Sequence, residues 1–168
     1  MSTPSAKLSV LVCKDFACVK IAGRANFMSS PDFKTLLTEL NQKGYQRFII
    51  DLAECVLMDS TFLGVLAGFA LELRKCTPKG SLVLTRMGQR NLELIRNLGL
   101  HKLLTVDMSD AGANADACRT ALETGVHGEL ENARLVLEAH ENLVSADEAN
   151  RGKFQDVLVF MKNRVEQG

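Results

Sequence analysis

The sequence predicts an α/β fold: a mixed, mostly parallel sheet with alternating helices, followed by a C-terminal helical extension. Three observations lead there. Between residues 45 and 106, β-type runs and helical runs alternate with short connections, the pattern of right-handed β-α-β crossovers. Two earlier β-type runs flank Lys14-Asp15 and read as a hairpin, which makes the sheet mixed. After Asp107 the β pattern stops, and apolar residues recur at helical spacing instead.

Taken in order, the hairpin strands are Leu8 to Val12 and Cys18 to Ala22. Ser30-Pro31 announces a helix, as an N-cap with proline at the first helical position. Phe33, Leu36, Leu37 and Leu40 supply its apolar face, and Gly44 ends it. Tyr45 to Leu52 follows, with Phe48-Ile49-Ile50 suited to a strand buried on both faces. A helix from Thr61 to Cys76 stops before Pro78 and Gly80. Ser81 to Thr85 is a strand, Gln89 to Leu98 a helix capped by Gly99, and Leu103 to Val106 a last short strand.

Asp107 to Ala117, rich in Ala, Asp, Gly and Asn, reads as a linker or a weak helix start, so the chain divides into a domain over 1–108 and a helical extension over 109–168. Leu130, Ala133, Leu137 and Val144 mark one stripe of the extension. Ser145-Ala146-Asp147-Glu148 matches a capping box, and Phe154, Val157, Leu158, Met161 and Val165 mark a second stripe. These helices are expected to pack on their own domain, with a homodimer or partner interface as the alternative.

The chain's 168 residues are 46% hydrophobic, and 20 basic side chains balance 20 acidic ones, so it lacks the electrostatic footprint of direct nucleic-acid binding. The longest run without charged or strongly polar residues, Phe62 to Leu71, is about half of what a bilayer crossing needs, so no membrane insertion is expected. Lys14 and Asp15 interrupt the first apolar segment before it could serve as a signal peptide, which makes a cytoplasmic location the expectation. Cys13, Cys18, Cys55, Cys76 and Cys118 form no C-x-x-C pair and sit among apolar neighbours, as small hydrophobes do. His101, His127 and His140 have no metal-ligand spacing and read as solvated or capping residues. No catalytic constellation, metal site or cofactor loop emerges, and the chain reads as a non-enzyme.

Chemistry concentrates at Met58-Asp59-Ser60-Thr61-Phe62-Leu63-Gly64-Val65-Leu66. Asp, Ser and Thr directly before an apolar helix form an N-cap. A hydroxyl there, after a strand of a parallel sheet, lies at the edge where such folds work, near unpaired backbone N–H groups. The helix is apolar on both sides. Leu63, Val65, Leu66 and Ala70 suit the sheet, while Phe62 and Phe69 are expected to be covered by the C-terminal helices or by another protein. The Gly64–Gly68 spacing suits close helix packing.

Tyr45 to Leu52, together with Val56 to Leu66, resembles the central motif of the STAS family, the sulphate-transporter and anti-sigma-factor-antagonist domains, and most resembles the stand-alone antagonists. Gly23, Gly80 and the Leu98-Gly99-Leu100 turn also fit, and the match in element order spans about residues 7–107. The resemblance implies a phosphorylated hydroxyl at Ser60, with Thr61 as second choice, supported by Asp51 and Asp59. Phe62, Leu63, Val65, Leu66 and Phe69 become the expected docking surface, and Phe62 stands where the family usually has Gly. The implied function is partner switching. The unphosphorylated antagonist binds an anti-sigma factor that is also a serine kinase, phosphorylation by that kinase releases it, and a PP2C-type phosphatase restores it. The alternatives are an accessory subunit docking on a transporter ATPase and a stress-signalling scaffold.

Overall fold

The opening hairpin consists of β1 (Lys7–Val12) and β2 (Ala17–Ala25), paired antiparallel from Lys7↔Ala22 to Val12↔Ala17. In a computed structural model of the chain, the residues described are 6–107, 120–122 and 127–167. There follow α1 (Ser30–Gln42), β3 (Arg47–Met58), α2 (Ser60–Arg74), β4 (Ser81–Thr85), α3 (Gln89–Asn97) and β5 (Thr105–Asp107). A 3-10 turn over Leu100–Lys102 precedes β5, and Gly99 enters it with φ +72°, a left-handed conformation that glycine adopts at little cost.

β2, β3, β4 and β5 run parallel, as the alternating pattern predicts. β6 (Thr120–Leu122) was not expected. It pairs antiparallel with β1 and completes a six-stranded sheet in the order β5-β4-β3-β2-β1-β6. A three-residue edge strand is too short to display a hydrophobic period. The expected linker falls almost wholly on residues 108–117, which, like Cys118, lie outside the described residues.

β3 runs six residues past its expected end at Leu52, and Cys55 and Met58 on this added stretch are buried. Two register shifts between β2 and β3, beside Ile21 and Gly23, let these long strands bend together; Gly23 has φ +95°. The core lies between the sheet and its helices, with Phe33, Phe48, Phe62, Leu37, Ile50, Leu66 and Leu84 almost wholly inaccessible. Phe33 of α1 stacks on Phe62 of α2 at 4.5 Å between ring centroids.

The extension forms α4 (Glu129–Ala146) and α5 (Asn150–Gln167), and it packs on its own domain. α4 buries Ala133, Leu135, Ala139, His140, Leu143 and Val144, a face displaced from the predicted stripe, in which Leu130 and Leu137 are only half-buried. The capping box does not form: Ser145 is still within α4, and Asp147 ends that helix in an extended conformation. Asn150, fully buried, instead donates to the carbonyls of Leu98 (2.9 Å) and Leu143 (2.8 Å), and Lys153 donates to Asn97 O. The carbonyls that close α3 and α4 thus find partners on α5.

Candidate functional site

The junction of β3 and α2 is built around Asp59. It is the N-cap of α2 in extended conformation, and its Oδ1 accepts the Phe62 N–H at 2.8 Å. Its Oδ2 accepts the Phe27 N–H at 2.8 Å, which holds the β2–α1 loop against the start of the helix. Burial pushes the Asp59 carboxyl above its ordinary pKa, while the Phe62 and Phe27 N–H bonds and the charge of His140 act in the opposite sense. The Asp59 side chain thus already occupies the positive end of the helix.

Ser60 opens α2 and is half-buried, whereas Thr61 is buried at 5% exposure. The Ser60 hydroxyl lies 2.9 Å from His140 Nε2 of α4. His140 Nδ1 lies 2.7 Å from Val136 O, a carbonyl that can only accept, so Nδ1 carries a proton. In the neutral ring Nε2 is then the acceptor, and Ser60 donates to it. The ring is buried and meets Phe154 of α5 edge-on at 4.9 Å. Ser60 also borders an open pocket shared with Leu94, Asn97, Lys153 and Phe154.

Below Ser60 on the same side of α2 come Gly64 and Gly68. A Cβ at Gly64 would stand 2.2 Å from Ala139 O, and one at Gly68 would stand 2.3 Å from Asn142 Nδ2. Asn142 Nδ2 donates to Gly64 O at 3.3 Å. The spacing thus serves close packing, and its partner is α4.

The docking residues expected on α2 face elsewhere. Phe62 stacks on Phe33, and Phe69 meets Phe48 of β3 edge-on at 4.8 Å, so the domain's own helix and sheet cover both rings. Leu63 and Leu66 are buried too, and Val65 lines a cleft with Leu37, Leu135 and Ala139. What α4 covers is the Ser60–Gly64–Gly68 edge. Asp51 stands apart from Ser60 because β3 continues to Met58; at ~3.3 Å per residue the strand separates Asp51 and Met58 by roughly 20 Å. Fully buried, Asp51 binds the Arg86 guanidinium through both oxygens and accepts the Ala53 N–H at 3.0 Å. It pairs β3 to the end of β4, where Arg86 takes φ 57°.

Sequence reasoning missed the role of His140, read as a solvated or capping residue, and the exposed pair Phe27 (45%) and Met28 (54%) beside Asp59. Two apolar residues in the turn before Ser30-Pro31 were the available signal for the latter. Among the described residues no group of His, Cys, Asp and Glu could hold a metal ion, and no helix is long and apolar enough to cross a membrane. The Cys55 thiol is pushed up to about 11 by burial.

The STAS domain family model matches residues 7–124, and the chain belongs to that family. The match runs past the boundary expected at 108 and takes in β6. Among solved structures, SpoIIAA in its unphosphorylated form, an anti-sigma factor antagonist, is 15% identical with a TM-score of 0.51, covering 66% of this chain and 96% of its own. The phosphorylated form of the Bacillus cell fate determinant SpoIIAA is 14% identical with a TM-score of 0.51, covering 65% and 98%. An anti-sigma factor antagonist from Mycobacterium paratuberculosis is 18% identical with a TM-score of 0.56, covering 67% and 92%. These likenesses establish the fold. The family model ends before α4, and each of these structures is matched over most of its length by about two-thirds of this chain.

Proposed function

We propose that this protein is a cytoplasmic, non-enzymatic anti-sigma factor antagonist whose docking is controlled by phosphorylation of Ser60. The partner is an anti-sigma factor with serine kinase activity, and a PP2C-type phosphatase resets the switch. The observation that carries the reading is a half-buried serine hydroxyl at the start of α2, directly after an Asp N-cap, in a chain of the STAS family. Ser60 is favoured over Thr61 because Thr61 is buried. Phe27 and Met28 offer exposed apolar area at the same edge, while Phe62, Leu63, Val65, Leu66 and Phe69 hold α2 in place from beneath.

The electrostatics suit a switch. A phosphoryl group adds about −1.5 to −2 charges. Asp59 occupies the favourable place at the helix terminus, so the new charge gains less there and meets a like charge instead. In an interface it must also be desolvated, which costs several kcal/mol if unpaired. About 4 kcal/mol weakens binding a thousandfold. Phosphopeptide mass spectrometry of protein from its own cells, beside Ser60→Ala, tests the reading. Phosphate on Ser60 that is absent from the variant supports it. Unmodified Ser60 under both growth and stress, with the chain held by a non-kinase partner, rejects it.

A further inference from the structure

α4 occupies the edge of α2 that carries Ser60, and three separate features show how closely. The Ser60 hydroxyl is engaged by His140, the Gly64 backbone is approached by that of Ala139, and Asn142 bonds the Gly64 carbonyl. The side-chain-free positions Gly64 and Gly68 form a shallow seam, which a helix can enter only with a small residue at the point of closest approach. α4 presents Ala139 there.

We propose that the α4–α5 pair is an intramolecular cover: it screens Ser60 and occupies a seam that an incoming partner helix, itself bearing a small residue at the crossing, would take. A kinase must bring the acceptor hydroxyl into line with a nucleotide phosphoryl group inside its own cleft. Here that hydroxyl is bonded to a buried ring, in a pocket walled by α3 and by Lys153 and Phe154 of α5. Docking and phosphorylation both require the cover to lift.

Lifting is compatible with a folded domain. The strand order of the sheet involves no residue of the pair, and the family model ends at residue 124, before α4. α5 buries only Asn150 fully, whereas α4 is held by Leu135, Ala139 and Leu143 in the core as well as by Lys34–Glu138 and His127–Asp32, so lifting exposes three apolar side chains. The statement about phosphorylation rests on Ser60 being the acceptor proposed above, whereas the cover does not.

The test uses the full chain and the Ala139→Glu variant, which places a charge against Gly64. In hydrogen–deuterium exchange, Ala139→Glu is expected to lose protection over residues 129–146 by about tenfold or more while β3 and β4 keep theirs. Loss across β3 and β4 as well would make α4 an integral layer of the fold and overturn the proposal. Unchanged protection over 129–146 would overturn it too. If Ala139→Glu does not accumulate, Asn142→Ala, which removes only the bond to Gly64 O, decides by the same criterion with a smaller shift. In cells, phosphate on Ser60 is expected to rise severalfold in the opened variant. A fall would make His140 a base that assists transfer and would reject the screening role. Phosphate absent from all variants would count against Ser60 as acceptor, while the exchange data would still judge the cover.

Discussion

Asp59 is held by two backbone N–H bonds from different segments and yet sits largely out of water. Burial is the larger influence and raises its pKa above the ordinary 3.8. A group raised in this way contributes stability that is fully present below its unfolded pKa and is lost as pH rises through the folded value. Asp59→Asn keeps an acceptor but cannot ionise. Its stability relative to the parent is therefore expected to improve as pH rises above the ordinary carboxyl value of 3.8 in parallel denaturant melts. A pH-independent difference would contradict the burial argument. The Asp59-Ser60 cap was legible in the sequence because N-capping joins residues three apart. The partner of Ser60 was not, because His140 lies 80 residues away and nothing local marks it as buried. Asp51 was misjudged for the opposite reason: its place near the motif in sequence concealed the distance that an extended strand introduces.

Among the elements, the α2–α4 contact yields a ranking. Gly64→Ala puts its methyl against a backbone oxygen that cannot swing aside, so α4 must shift at a cost of about 1–3 kcal/mol. Gly68→Ala meets the Asn142 side chain, which can rotate, and alanine's helix propensity offsets up to about 1 kcal/mol. Thermal melts are expected to rank Gly64→Ala well below Gly68→Ala; equal effects would mean that α4 does not pack closely on α2. His127 fastens the start of α4 between Asp32 of α1 (3.1 Å) and Glu131 (3.0 Å), and the bond to Asp32 is the main cause of its raised pKa. Its stabilisation is full below the unfolded value and fades as pH rises through the raised one. Exchange over the first turn of α4, corrected for intrinsic rates, is therefore expected to quicken above the ordinary 6.5, and His127→Gln to remove that dependence. β3 was under-read because Glu54 interrupts its apolar run, although Cys55 and Met58 return to the core. The S-x-x-E pattern at Ser145 misled because α4 was still running through it.

For the whole molecule, the order of strands and helices from β1 to β5 was legible because each crossover is short and each period local. That the last third packs on its own domain was also expected, but which surface receives it was not. An amphipathic pattern says that a helix buries one face but not against what, and here the receiving surface combines the Gly64–Gly68 seam with apolar side chains such as Leu37 and Val65. The resulting molecule has a STAS domain at its centre and a helical pair across the edge of α2 that carries Ser60. The most direct measurement is calorimetric titration of the full chain, unphosphorylated and phosphorylated at Ser60, into the anti-sigma factor kinase proposed above as its partner. Binding is expected to weaken by roughly a thousandfold on phosphorylation, equivalent to about 4 kcal/mol. Equal affinities of the two forms would contradict a switch at Ser60.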